Sequence, residues 1–523
     1  MTNQTLTADD LRQITDRGMK PKEVERQLQN FRNGFLPIVL TEAATTREGI
    51  HKITPKRIEE LSALYEEYAR SHKIVKFVPA SGAASRMFKH LLEFRAKYRG
   101  TPEDQLLLLK DKGPDSVYYF FEHLPDFAFF PKLLDALEIR GLDFDTIMEE
   151  SRYEKILNTL LTDKGLNYGN LPKALIPFHS YGNQSRTALI EHLVEGAHYA
   201  RSGLNKCHVH FTTLPDHLDL MDQHFKEFRE ELETRLQVSY HLEYSIQDPS
   251  TDVIAVDMHN NPVRDDKGML VFRPGGHGAL LKNLGSIKAD LIIIKNIDNV
   301  CHDRLKPDTY LFKKVLAGKL IELQDQIFAF LRGLDNPTPP SMKVVDTMWT
   351  FLEHKLHVKP PSGNEKWKKE ERMEYLRKKF NRPIRVCGMV ENEGEPGGGP
   401  FWANNPDGTV SLQVVESSQV NHDDPRQESI FQSSTHFNPV DIVCSIRDYQ
   451  GGTFKLKNFM DPNTGFISQK SLDSKTIKAQ ELPGLWNGSM SDWNTVFIEV
   501  PLSTFNPVKI INDLIRTEHL ATK

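Results

Sequence analysis

The stretch Lys73 to Lys89, KIVKFVPASGAASRMFK, sets the tightest limit on the fold. An apolar run of Ile74, Val75, Phe77 and Val78 enters a loop of small residues, Ala80-Ser81-Gly82-Ala83-Ala84-Ser85, after which Arg86 and Met87 open a helix. A continuous apolar run bounded in this way predicts a strand buried on both faces, as in parallel sheets. A strand feeding a tight turn onto a helix N-terminus directs N–H groups and a positive dipole end at one point, which suits a phosphate. Arg86 adds a planar cation for the same anion. The same pattern also serves as a plain strand–loop–helix connection whose small residues are there for packing.

Further along, strand and helix patterns alternate. Cys207 to Leu214, Val238 to Ile246, Val253 to Asp257 and Ala289 to Asp298 predict strands, whereas Ser185 to Arg201, Pro215 to Gln237 and Gly276 to Ile287 predict helices. That order implies βαβ units and a mostly parallel sheet covered on both faces. The segment 88–170 is aromatic-rich with helical period and reads as a helical insertion. Before Lys73 the chain reads as helices, with Thr7 and Asp10 capping the first and Pro21 opening the second; they are expected to pack against the first strand. Prolines 337, 339, 340, 360 and 361 mark a boundary, a basic helix follows (EKWKKEERMEYLRKKF, a solvated face or an anion surface), and short strands dominate after Arg385. The expected segments are therefore 1–72, helical; 73–334, the α/β domain; 335–384, linker and basic helix; and 385–523, a β-rich C-terminal domain.

With 523 residues the chain exceeds one core. A net charge of −5 gives no electrostatic reason for a nucleic-acid or anionic-membrane partner. No apolar run approaches the ~20 residues of a membrane helix. The first thirty residues are charged and polar, and the four cysteines (207, 301, 387, 444) show no CxxC spacing, so a cytoplasmic location is expected.

Parallel sheets bind ligands beyond the carboxyl ends of their strands. There the sequence places the loop after Val78, the FRPGGHG turn holding Gly275, Gly276 and His277, and the NIDN tetrad with Asp298. Asp298 is a Mg²⁺ ligand or a turn residue. Gln247 reads a base edge or is a solvated loop amide, and Lys173 neutralises phosphate or is a surface lysine. In the second half, Glu416, His436, Asn438, Glu481, Asn487 and Lys509 lie among glycines and aromatics, a setting that suits a sugar. Trp486 and Trp493 are core residues or sugar platforms. His208 and His210 share a strand face but lack a partner pair at zinc spacing, and the serines of the loop lack a GxSxG elbow.

Pro79 to Met87 (PASGAASRM) resembles the Gly-rich loop ending in Thr/Ser-Arg-Met/Leu of sugar-1-phosphate nucleotidyltransferases, the UDP-sugar pyrophosphorylases above all. Gly82, Ser85 and Arg86 match, and Ala84 stands where that family has Gly. Pro172-Lys173 resembles its Pro-Lys once 88–170 is taken as an insertion. Gly275 to Gly278 resembles the turn that contacts the base, and Asp298-Asn299 the Asp-Asn that binds Mg²⁺. VVESSQ at Val414 to Gln419 is similar to Val-Val-Glu-Tyr-Ser-Glu, with Gln419 for the second acid. His436 and Asn438 fall where an Asn-His pair is expected, and FNPVK at Phe505 to Lys509 resembles Phe-Ser-Pro-Leu-Lys. The whole chain is also similar to an uncharacterised bacterial family known only as a domain of unknown function, number 4301.

The resemblance implies a Rossmann-like, GT-A-like mixed sheet of the nucleotide-diphospho-sugar transferase type. It implies Mg²⁺-dependent transfer from a nucleoside triphosphate, UTP by preference, to a sugar 1-phosphate. Arg86, Lys173 and Lys509 would act on phosphates and Asp298 on the metal. Ala80, Ser81, Gly82, Ser85, Gln247, Gly275, Gly276 and His277 would hold the nucleotide, and Glu416, His436 and Asn438 the sugar. The alternatives are a glycosyltransferase-like enzyme and a catalytically inactive nucleotide-sugar-binding protein, the latter favoured by Ala84 and Gln419.

Overall fold

The computed structural model describes residues 6–82, 84–394, 397–472 and 475–521. Ala83 of the small-residue loop, and Glu395 and Pro396 of the glycine-rich stretch, lie outside the described residues. The fold is mixed α/β, with two compact units that interleave along the chain. One comprises 1–68, 247–293 and 314–500, and the other 69–246, 294–313 and 501–523. The sequence reading has four contiguous segments instead, and the proline-rich stretch it marks as a boundary falls inside the first unit, where it contains the helix Met342–His354.

In the second unit the strands Ile74–Pro79, Lys206–Thr213 and Ser239–Ile246 lie side by side and parallel, as the apolar runs imply. Helix Pro215–Leu236 crosses between the last two and stops at Gln237, whose φ of 53° is left-handed. On the other side of Ile74–Pro79 the segment 295–297 runs in the same direction, with the N–H of Lys295 donating to Phe77 O (3.2 Å) and that of Ile297 to Pro79 O (3.4 Å). The expected insertion is helical throughout, from Lys89–Lys97 to Tyr153–Leu161, and its aromatic residues Phe120, Phe127 and Phe129 share one buried cluster with Val78, Phe88 and Phe211.

Helix Ala188–Tyr199 is buried almost all round and carries two wholly buried carboxylates one turn apart. Glu191 takes hydrogen bonds from Tyr181 (2.9 Å), Lys306 and His179 (2.8 Å to Nδ1). Glu195 takes them from Lys76 (3.0 Å), Lys295 (2.8 Å) and Tyr199 (2.8 Å). Burial alone would push the Glu191 carboxyl up, but Lys306 and His179 hold it well below the usual range.

Three expectations about this part of the chain are corrected. The residues from Ser185 begin as a strand, Gln184–Thr187, hairpinned to Pro177–Tyr181, and the helix starts only at Ala188, where Thr187 caps it. Arg86 does not open a helix: it ends a single 3-10 turn, Ala84–Arg86, and the α-helix begins at Lys89. Strand Val253–Val256 belongs to the first unit, where it pairs antiparallel with Phe272–Arg273 and with Lys475–Glu481, so it is not a strand of the parallel sheet.

The first unit holds a mixed sheet in the order Ile50–His51, Asn494–Glu499, Ile384–Glu391, His436–Ser445 and Leu291–Ile294. It also has an antiparallel sheet built on Gly399–Asn404 and Val410–Val415. The N-terminal segment adds strands Leu40–Ala43 and Ile50–His51, so it is not wholly helical. The Thr7–Asp10 capping box and the helix Pro21–Asn33 are present as expected. Their apolar faces (Ile14, Val24, Leu28, Phe31) pack on Ile254 and Val256 of their own unit, whereas the sequence reading expects them against Ile74–Pro79.

Candidate functional site

The loop after Ile74–Pro79 is tied down by its own backbone. The N–H of Ala80 donates to both O and Oγ1 of Thr212 (3.2 Å each), and that of Ala84 donates to Leu171 O (3.1 Å). Those two N–H groups are thereby committed and not free for a phosphate. Ser81 is half-buried, and Gly82, Ser85 and Arg86 are exposed. The N–H of Lys173 reaches Gly82 O (3.5 Å), so the loop and the Pro172-Lys173 turn meet across the whole helical insertion.

Lys173, which starts the 3-10 turn Lys173–Leu175, points its ammonium at Asp298 Oδ2 (3.2 Å) and Val508 O (2.8 Å). Lys509 brings a second ammonium to the same Oδ2 (3.1 Å). Backbone bonds hold this arrangement, since Val508 N–H donates to Asp298 O (3.0 Å), and Asn299 Oδ1 accepts from Asn506 N–H (2.9 Å). Burial pushes the Asp298 carboxyl up, but the two ammonium groups more than offset it and hold it below the usual carboxylate range. Burial pulls Lys173 below the ordinary lysine range, and Lys509 adds to that, with Asp298 opposing. The Lys173 side chain is 12% exposed and that of Lys509 59%, so one cation is largely buried and the other largely exposed.

Arg86 has no side-chain partner among the described residues. It lines a cleft of about 100 Å³ with Lys89, His90, Ser116, Ile510 and Asn512, and Met87 O accepts from Ile511 N–H (3.1 Å). The structure thus brings Arg86 to the segment that carries Lys509, but no ion pair joins it to Asp298.

No group of three or more His, Cys, Asp or Glu side chains among the described residues could hold a metal. Both lysines bond to Oδ2 of Asp298, and Oδ1 has no partner among the described residues. A single open carboxylate oxygen fits Mg²⁺ where phosphates and water supply the other ligands.

The first unit gathers a separate set. Gly276, with φ of 73°, caps the 3-10 turn His277–Leu280, and a Cβ there would lie 2.0 Å from Glu481 Oε2. The His277 ring stacks on Trp486 (4.2 Å), its Nδ1 accepts from Leu485 N–H (3.0 Å), and its Nε2 is 3.9 Å from Glu416 Oε1. Burial lowers the His277 pKa against the pull of Glu416 and Glu481. Gln419 clamps this corner, accepting from Glu416 N–H (3.0 Å) and donating to Thr464 O (3.0 Å).

Asn438 N–H donates to Gly398 O (2.8 Å), and a Cβ on Gly398 would lie 3.4 Å from Glu416 Cγ, so Asn438 and Glu416 are neighbours. The buried Nδ2 of Asn438 and Nε2 of His436 have no hydrogen-bond partner among the described residues. Val440 nearby has φ of 60°, a strained value for a β-branched residue. Gln247 is half-buried, and no hydrogen bond among the described residues joins its side chain to His277. Trp493 is core, 5% exposed.

The sequence reading did not find Glu191, Glu195 or their lysines. Two acids at i and i+4 within the otherwise apolar ALIEHLVEGAHY are the signal that marks them.

A family model described as Domain of unknown function (DUF4301) matches residues 7–520. The chain belongs to that family. No curated protein matches it. Solved structures similar to it include a uridine diphosphate N-acetylglucosamine pyrophosphorylase from Trypanosoma brucei, at 12% identity over 93% of this chain and 72% of that one, with a TM-score of 0.47. Others are a UDP-glucose pyrophosphorylase from Leishmania major (12%, 98% and 79%, TM-score 0.42) and a putative UDP-N-acetylglucosamine pyrophosphorylase from Entamoeba histolytica (11%, 93% and 85%, TM-score 0.44).

Proposed function

We propose that the protein transfers a nucleotidyl group from a nucleoside triphosphate, UTP by the sequence resemblance, to a sugar 1-phosphate and releases pyrophosphate. The reading keeps 73–334 as a Rossmann-like, GT-A-like nucleotidyltransferase part and 385–523 as a sugar-binding part. The observation that carries it is the convergence of Lys173 and Lys509 on one oxygen of Asp298. Two ammonium groups and an open carboxylate oxygen, held by the backbone of distant segments, are a charge set suited to a polyphosphate.

An oxygen of the sugar phosphate attacks the α-phosphorus, the bond from that phosphorus to the bridging oxygen breaks, and pyrophosphate leaves with the electron pair. There is little covalent work for the protein, which must align the two phosphates and neutralise charge. Lys173, largely buried, and Lys509, more exposed, stabilise the reacting phosphates, and Arg86 takes the β- and γ-phosphates. Mg²⁺ held through Asp298 Oδ1 would supply further charge neutralisation on the triphosphate. Gly276 and His277 hold the nucleotide base, with Ser81, Gly82, Ser85 and Gln247 as further nucleotide contacts. Glu416, His436 and Asn438 take sugar hydroxyls, which suits the unpartnered Nδ2 of Asn438.

Gln419 bears on the inactive-binder alternative. Its amide is spent on Glu416 N–H and Thr464 O, which gives it a role in positioning Glu416. The test is to incubate the full chain with each nucleoside triphosphate, Mg²⁺ and a panel of sugar 1-phosphates. Pyrophosphate from one pairing supports transfer, and nucleotide-sugar binding without pyrophosphate favours the inactive binder.

A further inference from the structure

A cavity of about 360 Å³ in the first unit is lined by none of the residues that the proposed function assigns to nucleotide or sugar 1-phosphate, although it includes Asn487, which the sequence reading sets among residues suited to a sugar. Its size falls in the range of small-molecule pockets, ~300–1,000 Å³. Its polar wall consists largely of amides, from Asn404, Asn405, Gln413, Asn458, Asn463 and Asn487. Asn487 is 3% exposed, and its Oδ1 finds no hydrogen-bond partner among the described residues. Gln413 is 6% exposed and spreads its Nε2 over Asn405 Oδ1 (3.2 Å), Ser411 Oγ (3.2 Å) and Ser491 O (2.7 Å), which leaves its Oε1 without a partner among the described residues. Of the two oxygens, that of Asn487 is buried, and a buried amide oxygen without a partner loses hydrogen-bond energy unless a donor reaches it.

The charges around the cavity narrow the ligand class. Asp407, Asp461 and Asp492 present carboxylates, Asp407 paired with Lys379 (2.5 Å), and Arg382, the one lining cation among the described residues, is already engaged by Asp492 and by Lys378 O (2.9 Å). A phosphate would meet negative charge with no free cation to balance it. Ile38, Val414 and Met460 supply an aliphatic wall. Hydroxyl donors for the amide and carboxylate oxygens, hydroxyl acceptors for the amide N–H groups and C–H faces for the aliphatic wall occur together in a sugar ring.

We propose that this cavity binds an uncharged saccharide. The site is distinct from the sugar 1-phosphate contacts at Glu416 and Asn438, and neither assignment needs the other. The test is calorimetric titration of the full chain with glucose, N-acetylglucosamine, maltose and glucose 6-phosphate. At least one of the uncharged sugars is expected to bind saturably, and glucose 6-phosphate at least about tenfold more weakly than glucose. Asn487→Ala, and Asn463→Trp at the exposed rim, should each weaken that binding about tenfold or more, the loss expected of about one buried hydrogen bond to a ligand. Glu416→Ala should leave it unchanged. Because Asn463 is exposed, its variant decides the matter should Asn487→Ala fail to fold. The proposal is overturned if none of the uncharged sugars binds, if glucose 6-phosphate binds as tightly as glucose, if binding survives Asn463→Trp, or if Glu416→Ala removes it.

Discussion

Lys173 and Asp298 are 125 residues apart in the chain, yet the Lys173 ammonium lies 3.2 Å from Asp298 Oδ2 with both side chains largely buried. A buried ion pair is a weak source of stability, because desolvation offsets most of the attraction. Here the carboxylate carries a second ammonium, from Lys509, so the cluster holds more positive charge than pairing requires. An incoming polyphosphate would complete it.

Asp298→Asn should change how stability depends on pH. The folded carboxyl is held below its unfolded value, so the stability it contributes is fully present above the unfolded pKa, about 4. That contribution is lost as pH falls through the folded value. Urea unfolding of native and variant chains at intervals from pH 6 down to pH 2 should give curves whose difference is constant above about pH 4 and shrinks below it. A difference independent of pH throughout would mean that this carboxylate is not held low.

The pair His51 and His357, with Nε2 atoms 2.8 Å apart, makes an opposite-looking but equally signed contribution. Burial lowers both rings to about 4, helped at His51 by Lys319 and at His357 by His51. Between about pH 6.5 and 4 the unfolded chain therefore binds protons that the folded chain refuses, and stability falls as pH is lowered through that window. His357→Gln should flatten this slope in thermal melts. An unchanged slope would remove the pair as its source.

Gly276→Ala separates nucleotide binding from the rest of the fold. The added methyl meets Glu481 Oε2 at 2.0 Å on a backbone of φ 73°, and such strain costs about 1–3 kcal/mol. We expect a KM for the nucleoside triphosphate raised about tenfold, with kcat little changed. A variant that loses kcat and keeps KM would place this turn at the chemistry and not at the base.

What the sequence disclosed depended on how local the signal was. The strand Ile74–Pro79 is an uninterrupted apolar run, and the Thr7–Asp10 capping box is complete within four residues, so both are legible. Val253–Val256 looks like any buried strand, but its partner Lys475–Glu481 comes more than two hundred residues later, and local periodicity carries nothing about that pairing. The same limit hides the interleaving of the two units. At the candidate site, Lys173 and Lys509 were legible through resemblance and order, whereas the commitment of Ala80 and Ala84 N–H groups to Thr212 and Leu171 depends on long-range backbone contacts. Glu191 and Glu195 were missed because charged residues on a helix are ordinarily taken to face water, and only the lysines from distant segments make their burial tolerable.

Pyrophosphate release by the native chain and by Lys173→Met, measured side by side with the best triphosphate and sugar 1-phosphate, tests the central claim most directly. The native chain should release pyrophosphate and nucleotide sugar in equal amounts, and the variant should fall by about 10²–10³-fold, the loss typical of a charge aimed at a transition state. No pyrophosphate from the native chain with any pairing, or a folded Lys173→Met protein that matches it, would contradict the account.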